Sequence, residues 1–152
     1  MEQLITAKLM TEYLGISYQT LDKWCREGLL GTEHTQKLGH GRSRQFGLAD
    51  VVLARLLREI LSFGGSFGRA RSLSRMFHIN MKKSGPENVV LTLKAGQDAS
   101  FLLTLDFRDS IDHLHESITA IPVKAVYEDV KKVFPQLDTP KSWRQGDENA
   151  SS

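Results

Sequence analysis

Basic side chains concentrate in a glycine-rich stretch in the first half of the 152-residue chain. Together with one glutamine, they are Lys37, His40, Arg42, Arg44 and Gln45. Gly39 and Gly41 interrupt the stretch, so its backbone can approach a partner more closely than bulkier residues would allow. Cations of this kind neutralise phosphate groups, and such contacts position a protein on a polyanion without reading its sequence. A merely soluble loop is the alternative interpretation.

The outer face of a predicted helix carries a second set of polar side chains. Gly15 suits a sharp turn, and Ser17 predicts the N-cap of a helix that runs to about Glu27. Leu21 and Trp24 are three residues apart and share its buried face, which leaves the polar residues near solvent. These are Tyr18, Gln19, Asp22, Lys23 and Arg26. Glutamine pairs bidentately with adenine in the major groove and tyrosine contacts phosphate or a thymine methyl, whereas a solvated helix face is the alternative.

The apolar pattern and the caps predict four helices in the first half. They are expected over residues 7–14, 18–27, 49–62 and 67–77. The first two are short and joined by a glycine-containing turn, which predicts a helix-turn-helix. Extended pieces at 35–37 and 44–46 are expected to pair as a loose hairpin, which places the basic stretch in a wing beside the second helix.

The second half has a different pattern. Residues 81–88 contain a Gly-Pro pair and are predicted to be a linker. Extended segments are predicted at 89–93, 101–105 and about 117–121. Pro122 then suits the start of a helix over 123–134. The predicted fold is α+β, with a winged helix-turn-helix domain at 1–80, a small α+β dimerisation or partner domain at 89–138 and a flexible tail at 139–152.

Composition restricts the class of protein. Hydrophobic residues make up 40% of the chain and charged residues 25%, as in soluble globular proteins. No apolar run approaches the ~20 residues of a membrane helix, and the first residues lack the pattern of a secretory signal, so a cytoplasmic protein is expected. Residues 1–84 carry 13 Lys and Arg against 7 Asp and Glu, whereas residues 85–152 carry 7 against 11. The first half is therefore the one expected to bind a polyanion.

Other chemistry has weaker support. Cys25 is the single cysteine, so the sequence offers no disulfide framework and no cysteine-built zinc site. His113 and His115 lie near acidic residues, but ligands so close in sequence rarely form a metal site without a distant one. The glycine-rich run at 64–68 lacks the lysine of a phosphate-binding loop. We therefore predict no enzyme activity, no metal and no cofactor.

Several of these segments resemble the MerR family of bacterial DNA-binding regulators. In chain order the matching motifs are Leu14-Gly15-Ile16-Ser17, Thr20-Leu21, Trp24, Glu27-Gly28-Leu29-Leu30, Gly41 to Val52, and Phe63-Gly64-Gly65-Ser66-Phe67. The resemblance covers about residues 5–78 and implies a winged helix-turn-helix that binds double-stranded DNA with its second helix and its wing. The residues expected to contact DNA are Ser17, Tyr18, Gln19, Lys23, Arg26, Lys37, His40, Arg42, Arg44 and Gln45.

The chain departs from the family pattern at two places. Founding members carry arginine where Asp22 stands, and a phosphate would repel an acidic side chain at that position. The family's long helix, which forms an antiparallel coiled coil in the dimer, is replaced here by predicted strands beyond residue 88. The cysteines of metal-sensing members are also missing, so the resemblance extends to DNA binding and not to metal sensing.

Three functions from different classes fit these features. The leading hypothesis is a nucleoid-associated, sequence-specific transcription regulator, a repressor or autoregulator that acts as a homodimer or a cooperative oligomer on DNA. The second is an architectural or recombination protein similar to excisionases, which would bend DNA by side-by-side binding. The third is a DNA-binding antitoxin-like protein whose acidic C-terminal half binds a protein partner. A fragment of residues 1–84 is expected to fold on its own and bind DNA.

Overall fold

The computed structural model describes residues 3–30, 44–62, 64, 66–94, 100–110 and 118–144. Six helices lie in these ranges: α1 (Ala7–Leu14), α2 (Tyr18–Arg26), α3 (Leu48–Ser62), α4 (Phe67–Ser84), α5 (Thr104–Ser110) and α6 (Val123–Val133). The strands there are β1 (Ile5–Thr6), β2 (Gln45–Phe46), β3 (Val89–Lys94), β4 (Ser100–Leu103) and β5 (Ile118–Pro122). The fold is a mixture of α and β, as predicted. No helix in these ranges is both long and apolar enough to cross a membrane.

Side-chain caps and one glycine define the helix-turn-helix. The hydroxyl of Thr6 accepts a hydrogen bond from the amide of Leu9 at 3.3 Å and begins α1. Gly15 follows at a φ of 69°, a left-handed conformation that glycine adopts without steric cost. The hydroxyl of Ser17 then accepts from the amide of Thr20 at 3.1 Å and begins α2. The first two helices therefore begin where the sequence predicted, and α2 ends at Arg26, one residue before the predicted end.

The two-stranded sheet joins the start of the chain to the segment before α3. β1 and β2 are antiparallel, with Ile5 opposite Phe46, and both of these side chains are buried. The carboxylate of Asp50 accepts a hydrogen bond from the amide of Gly47 at 3.0 Å, which caps the start of α3. The segment at 35–37, predicted as the partner of β2, lies outside the described residues, so the hairpin remains a prediction.

Helix α4 is longer than the sequence suggested. It was predicted to end near Phe77, and residues 81–88 were predicted as a linker, but α4 continues to Ser84 and a 3-10 turn occupies Pro86–Asn88. The lysines of this segment are exposed while Met81 is completely buried, so its polar appearance reflects only one side of a helix. Gly85, at a φ of 79°, is the residue at which α4 ends.

A three-stranded antiparallel sheet follows, in the order β4-β3-β5. Leu91 of β3 lies opposite Phe101 of β4 and Ile121 of β5, so the three segments predicted as extended belong to one sheet. The strand expected over 101–105 is shorter, because the chain enters α5 at Thr104. Helix α6 begins directly after Pro122 and buries Val126 and Val130.

One continuous hydrophobic core includes side chains from both halves of the chain. Its C-terminal members are Val89, Leu91, Leu93, Val123, Val126, Val130, Phe134, Leu137 and Trp143. Helix α3 is buried on nearly all sides, including the consecutive residues 51–54. A helix of this kind must be packed against other elements on every side, and α6 is one of these elements. The division into an N-terminal and a C-terminal domain therefore stays a prediction that must be tested by truncation.

Polar contacts reinforce the packing of α6. The Nη1 of Arg55 on α3 donates to Asp129 on α6 at 2.8 Å, and the hydroxyl of Tyr13 on α1 donates to the same carboxylate oxygen at 2.5 Å. The hydrogen bond from Tyr13 is the main reason why the pKa of Asp129 is lowered. The segment that ends at Arg144 also contacts the core. The flexible tail was predicted from residue 139, but Trp143 is buried against Phe77, which leaves a fixed segment as far as Arg144.

Candidate nucleic-acid interface

The first turn of α2 presents the side chains that the sequence assigned to base contacts. Tyr18 is 47% exposed and Gln19 is exposed beside it. Leu21 and Trp24 are buried on the opposite side and fix the orientation of the helix on the core. A helix held in this way can enter a major groove with its N-terminal residues foremost.

The beginning of α4 lies against the end of α2. The ammonium group of Lys23 lies 4.7 Å from the centre of the Phe67 ring, a cation–π contact. Arg71 donates to the backbone oxygen of Glu27 at 2.8 Å and to its carboxylate at 2.7 Å. The outer face of α2 is therefore in contact with the beginning of α4, and both features were predicted from the sequence. The contact with Phe67 was not predicted.

Asp22 connects α2 to Arg44, the residue directly before β2. Its Oδ2 accepts a hydrogen bond from Nε of Arg26 at 2.8 Å, one turn further along the same helix. Its Oδ1 lies 3.1 Å from Nη2 of Arg44. The carboxylate that departs from the family pattern is thus compensated by two guanidinium groups within the protein itself.

The structure separates the predicted wing residues into three groups. Gln45 is exposed, as expected of a side chain that contacts a partner. Arg44, which directly precedes β2, is only 8% exposed. Lys37, His40 and Arg42 lie outside the described residues. Contact of Arg44 with phosphate therefore remains a prediction, while its contact with Asp22 is observed.

The thiol of Cys25 is not arranged as a nucleophile. Burial raises the pKa of the Cys25 thiol to about 11, so the thiol stays protonated and a poor nucleophile at neutral pH. Within the ranges that the structure describes, no group of three or more His, Cys, Asp or Glu could hold a metal ion. His113 and His115 lie outside those ranges.

Comparison with known families agrees with this geometry. Residues 6–76 match the family described as MerR HTH family regulatory protein. The N-terminal half is a MerR-type helix-turn-helix domain. The matched segment begins at the cap of α1 and ends within α4, and it contains the whole outer face of α2. A comparison of the sequence with curated proteins finds no match. The MerR-type domain is that of DNA-binding transcriptional regulators, while residues 77–152 lie outside the matched segment.

Proposed function

We propose that the protein is a sequence-specific transcription regulator that reads the major groove with Tyr18 and Gln19. Ser17, Lys23 and Arg26 would contact the adjoining phosphates from the same helix. The remaining wing contacts would come from Lys37, His40, Arg42, Arg44 and Gln45. Repression or autoregulation is the expected outcome of such binding, because an occupied operator blocks access to the promoter.

The observation that carries this proposal is the two-sided character of α2. One side has buried anchors, Leu21 and Trp24, and the other has an exposed amide and a phenol at its first turn. The N-terminus of a helix is also the end at which backbone amides favour a negatively charged backbone such as DNA. Among the predicted contacts, Gln19 is therefore the one best placed to recognise a base.

Replacement of Gln19 by alanine tests base reading directly. At a site selected by the wild-type protein from random-sequence DNA, Gln19→Ala is expected to cost about 1–3 kcal/mol. Discrimination should relax at a single base pair, and binding to random DNA should stay the same. Fluorescence anisotropy with the selected site and its single-base variants measures both quantities. A uniform loss on every sequence would make Gln19 a backbone contact, and no binding to any DNA would overturn the proposed function.

We also propose that the regulator binds DNA as a dimer formed through the outer side of α4 and through β4, which is an edge strand of the sheet that the described residues form. Met76 and Ile79 on α4 are 48% and 57% exposed, and Leu103 on β4 is 44% exposed. Leu103 lies opposite Val89, a core residue, so it points to the side of the sheet on which α4 packs. An edge strand can pair with the same strand of a second copy, which suits a two-fold interface.

A charge in the middle of that surface is expected to prevent dimerisation. Ile79→Glu should convert a dimer into a monomer, since burial of an unpaired carboxylate costs far more than the lost apolar contact contributes. Analytical ultracentrifugation at micromolar concentration measures the change. Val133→Glu, at a similarly exposed position on α6 (47%), is the matched control and should remain dimeric. A wild-type protein that sediments as a monomer would contradict the proposed interface.

A further inference from the structure

We propose that Asp22 is a positioning residue of the DNA-binding surface and makes no base contact itself. Its carboxylate holds the middle of α2 against the wing root, by which we mean Arg44 together with β2. This inference rests on the proposed function, since it concerns how the same surface is organised. It also gives a physical reason for an acidic side chain at a position where a phosphate would repel it.

Asp22 lies in the centre of the face that would meet DNA. Tyr18, Asp22 and Arg26 are spaced four residues apart and form one row along the exposed side of α2. A free carboxylate in this row would be repelled by the DNA backbone and would accept a hydrogen bond from cytosine. The Asp22 side chain is only 22% exposed, and each of its oxygens contacts a guanidinium group. It is therefore engaged within the protein before DNA arrives.

The contact with Arg44 links two separate parts of the domain. Asp22 belongs to α2, whereas Arg44 directly precedes β2, which is paired with β1 and anchored by the completely buried Phe46. The pair is largely shielded from solvent, since Arg44 is 8% exposed, so it is screened less than a surface ion pair. The distance between Gln19 on α2 and the wing root is thereby restrained.

This arrangement predicts opposite effects on two kinds of binding. Loss of the Asp22 charge removes a repulsion and releases Arg26, so binding to random DNA should stay the same or become tighter. Loss of the link to Arg44 allows α2 and the wing root to move independently, so binding to the selected site should weaken. The ratio of specific to non-specific affinity therefore distinguishes a positioning role of Asp22 from a purely electrostatic effect of its charge on DNA binding.

The decisive variant is Asp22→Asn, which keeps the size of the side chain and removes its charge. We expect the affinity ratio to fall about tenfold, as for a coupled contact pair. Arg44→Gln should lower the ratio similarly, and the double variant should lower it no further. Glu27→Gln is the control, since it removes the same charge from the end of α2 and breaks a different ion pair, with Arg71. Its ratio should equal that of the wild type.

Hydrogen exchange of the DNA-free protein provides a readout that does not depend on DNA binding. The amides of β1 and β2 should exchange faster in Asp22→Asn, while Glu27→Gln and Asp22→Glu, which retains a carboxylate, should remain close to wild type. An unchanged affinity ratio, unchanged exchange, or a loss of discrimination confined to one base pair would overturn the proposal. If the wild type binds no DNA, the proposed function fails, and the exchange result still decides the positioning role.

Discussion

A fragment that ends at Ser84 is expected to lose cooperative unfolding. Removal of the rest of the chain takes away Val126, Val130, Phe134 and Trp143, all buried in the core that contains α3. Each large apolar side chain of the fragment that loses its burial lowers the free energy of unfolding by about 1.5–3 kcal/mol. A whole domain is stable by only about 5–15 kcal/mol. The sequence alone predicted that residues 1–84 fold independently, and the contacts of α6 favour the opposite result.

Thermal unfolding followed by circular dichroism measures this effect. The full chain should give one cooperative transition, and the 1–84 fragment should give a broad one or none. A fragment that ends at Arg144 is the matched control, because it keeps all the core side chains named above and should unfold like the full chain. A sharp transition of the 1–84 fragment near that of the full chain would instead support the two-domain division predicted from the sequence.

The DNA-binding half could be predicted from sequence because its signals are local. Thr6 and Ser17 begin helices with their own hydroxyl groups, and Gly15 turns the chain between them. Each of these residues acts within a few positions of itself, so its effect does not depend on the rest of the fold. The same holds for Leu21 and Trp24, whose spacing alone identified the buried side of α2.

The features that sequence did not predict depend on contacts between distant residues. Met81 appears in a polar run, yet it is completely buried and belongs to α4. The contact of Arg44 with Asp22, twenty-two positions earlier, was not predicted. Asp22 itself looked unfavourable, since nothing in its local sequence indicates which cation will lie beside it.

A side chain at Gly85 is expected to detach the end of the described chain from α4. A β-carbon at this position would lie 2.1 Å from the backbone oxygen of Arg144, far inside van der Waals contact. Gly85 also has a φ of 79° and a ψ of 167°, a conformation that other residues adopt at a cost of about 1–3 kcal/mol. Because a backbone atom cannot rotate away as a side chain can, Gly85→Ala should displace Arg144.

Displacement of Arg144 should also take Trp143 out of the core. The amide of Arg144 donates to the backbone oxygen of Met81 at 3.1 Å, and the guanidinium of Arg144 donates to the backbone oxygen of Lys83 at 3.1 Å. Both hydrogen bonds should therefore break when Arg144 is displaced. Loss of a buried tryptophan costs about 3–5 kcal/mol, which should lower Tm and raise acrylamide quenching of tryptophan fluorescence.

Gly64→Ala is the control that measures the cost of a positive φ without a steric clash. Gly64 has a φ of 85°, and nothing lies within 4 Å of its added β-carbon. Its Tm should fall less and its quenching should stay at the wild-type value, because Trp143 remains in place. Equal effects of the two substitutions would mean that backbone strain alone acts at Gly85 and that the contact with Arg144 contributes nothing.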